Sequence, residues 1–288
     1  MFSPASALRK ASATGAHLPR VAALADLYSR GVDFRQSQLI MITGRPGAGK
    51  TFFAQWLVSE IASNDDCPGL YFFLDGTPFT AAVRQAAWAT GHKQSDIAES
   101  LEGPGAAYYE DALLELSDRV GFVFDKKPEL PAIAAEIAAY VELWDRYPSW
   151  MVFDNLLNFA GCEEDHHAQK QVLGELQAEA YRTGATIFVL HHASEAGVKD
   201  YSQAPRVNDT DGKVTQLPEV VLTVAKDPDS DAFRVAVGKL RDGGASDPSA
   251  KHPVTLWADL SRVSFTNTKP IPAPSWGDGW SPDETDDD

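Results

Sequence analysis

Residues Gly44, Arg45, Pro46, Gly47, Ala48, Gly49, Lys50, Thr51 and Phe52 lie between an apolar run, "QLIMIT", and a helical pattern, "KTFFAQWLVSEIA". That order, strand then glycine-rich turn then Gly-Lys-Thr opening a helix, is what a phosphate-binding loop requires. Glycine lets successive backbone N–H groups turn inward around one anion. The helix starting near Lys50 adds the positive end of its dipole. Lys50 is expected to reach the β- and γ-phosphates of a nucleoside triphosphate, and the Thr51 hydroxyl to hold Mg²⁺. A chance glycine-rich turn would not need the strand and helix that flank this one.

A metal-bound triphosphate needs an acid at a strand end to hold the metal's water shell, and another to orient the attacking water. Asp154 ends "WMVFD" and supplies the first. Asn155 follows it, where a second acid would stand if the two were adjacent. The remaining candidate for orienting water is Asp75, which ends "LYFFLD". Its alternative role is to cap the turn before Pro78. The strand ends beside a phosphate loop are where the site must form, which favours the catalytic role.

These residues need a scaffold, and the chain alternates accordingly. "QLIMIT", "LYFFLD", "RVGFVF", "SWMVFD" and "ATIFVLHH" read as short apolar strands. Between them, "KTFFAQWLVSEIA", "TAAVRQAAWATG", "LPAIAAEIAAYVELWDRY" and "QKQVLGELQAEAYRTG" read as helices. "EVVLTVAK", "FRVAVGKL" and "VTLWADL" look like edge strands joined by turns. The spacing Leu18, Val21, Leu24, Leu27 predicts a short amphipathic helix before them. The fold class is α/β, with a mostly parallel sheet covered by helices on both faces. Residues 1–20 are read as a flexible arm, 21–268 as one domain, and 269–288 as a disordered acidic tail.

At 288 residues, with 44% hydrophobic and 23% charged, the chain has the make-up of a soluble globular protein. Its apolar runs are too short to span a bilayer, so no membrane is expected. Two cysteines, Cys67 and Cys162, imply no disulfide framework. A reducing compartment, the cytoplasm (the host's if the chain is phage-encoded), is expected. The net charge of −16 excludes a surface that is basic throughout, though not basic residues gathered on inner loops.

Taken together, the phosphate loop, the acid ending the next strand, the lone Asp154 after apolar residues and the polar pair ending "IFVLHH" resemble the RecA-like ATPases. More closely, the chain resembles the motor domain of DnaB-type replicative helicases, in the short form found in phages. The resemblance covers residues 35 to 245. It implies ATP with Mg²⁺ as ligands, and a hexameric ring with nucleotide sites between subunits. It also implies single-stranded DNA as partner, with a loader, primase or other replication protein nearby. "LYFFLDGTPFTAAVRQAAWATGH" resembles the helicase segment in which an arginine follows the acid by nine residues, implying that Arg84 packs against the adenine base. "IFVLHH" resembles the strand ending in a γ-phosphate sensor, placing His192 where the family has Gln. "VAVGKLRDG" resembles the finger strand, implying that Lys239 and Arg241 reach the neighbouring subunit's nucleotide. The chain departs from the family in carrying Asp75 for Glu, in a sensor whose charge varies near neutral pH, and in having only a short arm where a helical domain would precede the motor.

The loops expected to face DNA are "NLLNFAGCEEDHHAQK", after Asp154, and "SEAGVKDYSQAPRVNDTDGKVTQ", after His192. The second carries Lys199, Arg206 and Lys213 around Tyr201, a mixture suited to tracking phosphates. It also carries Asp200, Asp209 and Asp211, so a solvated surface loop is the alternative. His166 and His167 are read as part of a polar loop, since adjacent histidines point apart. Two other readings of the whole chain stay open: a recombinase-like or mediator ATPase forming filaments on DNA, and a nucleotide-gated switch without motor activity.

Overall fold

The computed structural model describes residues 17–64, 67–101, 103, 105–195, 200–241 and 243–270. Among them a sheet of nine strands runs β3-β2-β4-β5-β1-β6-β7-β8-β9. The strands are β1 (Leu39–Gly44), β2 (Gly69–Phe73), β3 (Val120–Val123), β4 (Trp150–Asp154), β5 (Thr186–His192), β6 (Val220–Lys226), β7 (Ala232–Leu240), β8 (Val254–Asp259) and β9 (Ser264–Thr266). From β3 to β6 every pairing is parallel, whereas β7, β8 and β9 are added antiparallel. β1, β2 and β4 are buried along their whole length, which is why they read as unbroken apolar runs. "EVVLTVAK" is not an edge strand. It forms β6, parallel to β1 and flanked on its other side by β7.

The helices are α1 (Ala25–Ser29), α2 (Lys50–Ser63), α3 (Pro78–Thr90), α4 (Gln94–Ser100), α5 (Ala106–Ser117), α6 (Leu130–Trp144) and α7 (His166–Thr183). Thr77 caps α3 by accepting the Thr80 N–H, with Pro78 at its first position, and Asp165 caps α7 through the His167 and Ala168 N–H groups. His166 and His167 therefore begin a helix instead of lying in a loop. α4 and α5 lie in a stretch for which the sequence suggests no element. α4 has seven residues and α5 twelve, and charges interrupt the apolar residues of each.

Successive side chains on a strand point to opposite faces, and this divides the core in two. Ile40, Ile42, Tyr71, Phe73 and Val152 pack towards α2 and α3, whereas Met41, Leu70, Phe72, Met151 and Phe153 pack towards α6 and α7. Leu18, Val21, Leu24 and Leu27 are all buried, with the last two on a 3₁₀ turn and α1. The Leu18 N–H donates to Phe34 O at 2.8 Å, so residues 17–20, expected in the arm, belong to the packed domain. Residues 1–16 and 271–288, the rest of the expected arm and most of the tail, lie outside the described residues.

One aromatic group ties the antiparallel strands to the phosphate loop. Phe233 on β7 stacks on Phe53 of α2 at 5.3 Å and meets Phe265 of β9 edge-on at 5.0 Å. A Cβ on Gly49 would lie 3.2 Å from the Phe233 ring. Gly49 also has φ of +80°, so the residue that opens α2 is constrained by both backbone and packing. Phe233→Ala should lower the unfolding free energy by about 3–5 kcal/mol, the range for emptying a buried aromatic site. It should also weaken nucleotide binding, because the ring supports the phosphate loop. Urea unfolding and a nucleotide titration of the same variant check both halves.

Candidate nucleotide-binding site

β1, β4 and β5 end side by side, and each delivers a polar group to one place. The Lys50 ammonium donates to Gly44 O and Arg45 O at 2.9 Å each and lies 3.3 Å from His192 Nδ1. Lying across the loop that it closes, it stands where phosphate oxygens would replace those carbonyls. Asp154 is buried, and its carboxylate accepts from the Tyr71 hydroxyl at 2.9 Å and from the Thr51 hydroxyl. Asn155 accepts the Leu157 N–H through Oδ1, and its Nδ2 lies 3.4 Å from His192 Nε2. Tyr71 is the partner that sequence reasoning misses. In an apolar strand it looks like a core aromatic, and only its register opposite Val152, two residues before Asp154, exposes its role.

Burial governs the charges here. It raises the Asp154 pKa to about 6, opposed by hydrogen bonds from Thr51 and Tyr71 and by the Lys50 and Arg84 charges. It lowers Lys50 to about 8, opposed by Asp154. His192 falls to about 4, through burial and then the adjacent Lys50, with Asp75 pulling the other way. The expected charge variation near neutral pH is therefore corrected: His192 is neutral at pH 7. Its contact with an ammonium makes Nδ1 the acceptor, so the proton sits on Nε2. That N–H faces the Asn155 amide nitrogen, a donor opposite a donor, and is unspent. It can donate to an anion.

Asp75 is exposed at the end of β2 and makes no hydrogen bond among the described residues. Thr77, and not Asp75, caps α3. Arg84 packs inward: its guanidinium lies over the Phe52 ring at 4.2 Å, and its charge acts on Asp154 and Tyr71. Arg84 Nε and Arg45 Nε are buried without a hydrogen-bond partner among the described residues. These orphaned cationic donors fit a polyanion. Thr51 and Asp154 fit Mg²⁺, which binds through one or two protein oxygens plus substrate phosphates. No group of three or more His, Cys, Asp or Glu forms a self-contained metal site among the described residues.

Lys239 and Arg241 lie away from this centre and are held within the subunit. The Lys239 ammonium donates to the carbonyls of Thr215, Gln216 and Pro218, and Arg241 pairs with Glu219 at 3.1 Å. The anion opposite these two cations is thus the chain's own. Arg206 pairs with Asp209 at 2.9 Å on the surface. Lys213 lies on the 3₁₀ turn Asp211–Gln216, its side chain outside the description, and Lys199 lies outside the described residues. No helix among the described residues is long and apolar enough to cross a membrane.

His191, beside the sensor position, points to the other face, almost fully buried with both ring nitrogens unpartnered among the described residues. Burial, then the charges of His192, Lys50 and His166, lower its pKa to about 4 from 6.5. A histidine depressed in the folded state stabilises above its unfolded pKa, and that contribution is lost as pH falls from about 6.5 towards 4. The slope approaches about 1.4 kcal/mol per pH unit. His191→Leu should flatten this acid decline in the nucleotide-free chain. Urea midpoints from pH 7 to 5 check it, and parallel slopes for both proteins would refute it.

Residues 7–198 match the family described as AAA domain. Two relatives bear the name Gene 65 protein. That of Mycobacterium phage L5 is 27% identical over 265 residues, covering 89% of this chain and 95% of the relative. That of Mycobacterium phage D29 is 28% identical over 227 residues, covering 76% and 94%. Among solved structures, one that consists of an ATPase domain superposes with a TM-score of 0.74 at 15% identity, over 92% of this chain and 97% of that one. A DnaB-like replicative helicase, solved in a study that includes its interactions with primase, gives 0.71 at 15% identity, over 92% and 68%. At that identity the likeness is one of fold, the RecA-like fold of a DnaB-type ATPase domain. With two-thirds of its length matched, the chain belongs to the AAA domain family.

Proposed function

We propose that this chain is an ATPase that couples hydrolysis to movement on single-stranded DNA, as a DnaB-like helicase working in replication. The observation that carries the reading is the convergence of Lys50, Asp154 and His192 at adjacent strand ends, with Asp75 open to solvent at the next. Lys50 and the loop Gly44 to Thr51 hold the triphosphate, and Thr51 with Asp154 hold Mg²⁺. The metal supplies charge neutralisation on the phosphate oxygens. Asp75 accepts the proton of the attacking water, and the His192 Nε2–H reads the terminal phosphate. Arg84 stiffens the pocket wall at Phe52, where the base would lie.

Loops that leave the ends of β4 and β5 support a DNA-facing role, since they start at the same edge as the nucleotide site. Arg206 is restrained only by its exposed pair with Asp209 and can exchange that partner for a phosphate. Arg241 stays half-exposed while paired with Glu219 and is the candidate to complete a neighbour's site in a ring.

Asp75→Asn should bind ATP as the wild type does while losing turnover, because an amide can position water but cannot accept its proton. Single-turnover hydrolysis beside a binding titration checks this, and normal turnover would move the base to another residue. Subunits carrying only Arg241→Ala and subunits carrying only Lys50→Ala should each be inactive. Mixed, they form some interfaces with both groups intact and should recover part of the ATPase and of strand displacement. A finger in trans contributes on the order of a thousandfold, so even sparse mixed interfaces are measurable. No recovery despite demonstrated co-assembly would remove Arg241 from the neighbour's site.

A further inference from the structure

Tyr71 is fully buried on β2, yet it carries a hydroxyl that must find a partner. The register sets it opposite Val152, and the pleat puts Val152 and Asp154 on the same face. The ring runs diagonally past Val152, and its hydroxyl donates to Asp154 Oδ2 at 2.9 Å. The ring has little freedom to do otherwise. It stacks on Phe122 of β3 at 5.4 Å and meets Phe73 edge-on at 5.8 Å. Phe122 in turn stacks on Phe124 at 5.9 Å. A row of aromatic rings thus runs from the edge strand of the sheet to the buried carboxylate and fixes where the hydroxyl points.

Two hydroxyls hold Asp154, and they are not equivalent. Thr51 belongs to the phosphate loop and is itself a candidate to hold Mg²⁺, so its hydrogen bond ties Asp154 to a segment that nucleotide engages. Tyr71 belongs to the interior of the sheet and ties Asp154 to a frame that nucleotide does not reach. With Oδ2 spent on Tyr71, rotation of the carboxylate about its Cβ–Cγ bond would break that hydrogen bond. A buried hydroxyl left without its acceptor is costly, so the rotation is opposed.

We propose that Tyr71 is a positioning residue for the Mg²⁺ site: its hydroxyl, locked by the Phe122 stack, holds the Asp154 carboxylate in the orientation that serves the metal. The role rests on the site proposed above, in which Thr51 and Asp154 hold Mg²⁺. It extends that site to a side chain in the middle of β2 that touches neither nucleotide nor metal.

The affinity of the full chain for a non-hydrolysable ATP analogue, measured in Mg²⁺ and again in EDTA, gives the metal's contribution as a ratio. Tyr71→Phe keeps the ring and deletes only the hydroxyl. It should cut that ratio about tenfold or more, the usual effect of losing a group that orients a metal ligand, with the EDTA affinity unchanged. Phe122→Leu keeps the hydroxyl but frees the ring, and should cut the ratio by an intermediate factor. Asp154→Ala should remove most of the ratio, and adding Tyr71→Phe to it should change nothing further, since both act through one carboxylate. A wild-type ratio in Tyr71→Phe overturns the proposal. So does an equal loss of affinity in Mg²⁺ and in EDTA, which marks a role in folding alone. Where Tyr71→Phe does not fold, an undiminished ratio in Phe122→Leu overturns it. A full ratio in Asp154→Ala, or a wild type indifferent to Mg²⁺, sinks the metal site itself and this role with it. A ratio lost in Asp154→Ala but kept in Tyr71→Phe sinks only the role of Tyr71.

Discussion

Lys50, Arg45 and Arg84 share one end of the sheet with a single buried carboxylate, Asp154. In a chain of net charge −16 this positive excess is local and held out of water. Its cost shows in Lys50, brought down to about 8, and in Asp154, raised to about 6. Side chains with such long stems would swing into solvent if they were free to do so. They are not free: Phe52 lies against Arg84, Gln203 O holds Arg45, and two carbonyls hold Lys50. The fold thus maintains an electrostatic deficit that a polyphosphate fills.

The parallel sheet decides where that deficit can exist. Helices cover both faces, so polar chemistry is confined to the strand ends. β1 lies between β5 and β6, and β4 lies beside β5, which brings the phosphate loop, the Asp154 carboxylate and the His192 ring together. The loops continuing from β4 and β5 begin where the site ends. No separate device is needed to connect them to the nucleotide, since Arg45 already belongs to the phosphate loop and bonds to the loop after β5. Phe233 holds the other flank, seating the antiparallel strands under Gly49.

Much of this is legible in the sequence, for physical reasons. The phosphate loop is local, since its glycines, Lys50 and Thr51 act on one anion through adjacent backbone. Asp154 is legible because a carboxylate that ends a buried apolar run must find a cation or a metal nearby. What escapes are relations across the chain. Tyr71 looks like any core aromatic until its hydroxyl meets Asp154. The neutrality of His192 depends on burial and on Lys50, which no histidine announces. β6 reads as an edge strand because its run resembles that of β7, although one is parallel to β1 and the other is not. α4 has only seven residues, too few for a period to show. Lys239 and Arg241 read as a like-charged pair seeking an outside anion, because their carbonyl and Glu219 partners lie some twenty residues away.

Those partners also separate the two cations by what each leaves behind. Glu219 is buried and accepts from the Leu39 N–H at 2.8 Å and the Gln177 amide at 2.7 Å as well as from Arg241. When Arg241 departs, the carboxylate keeps two donors, but the guanidinium also gives up its N–H donation to Leu217 O at 2.9 Å and Gln216 O at 3.4 Å. If Lys239 departed, three carbonyls would lose one shared donor group together. Gln216 is exposed, so water replaces the donor there, and the cost of an unsatisfied buried acceptor, about 1–3 kcal/mol, applies to the carbonyl of buried Pro218. Both cations thus bind the loop that precedes β6, Lys239 through carbonyls alone and Arg241 through carbonyls and the Glu219 carboxylate.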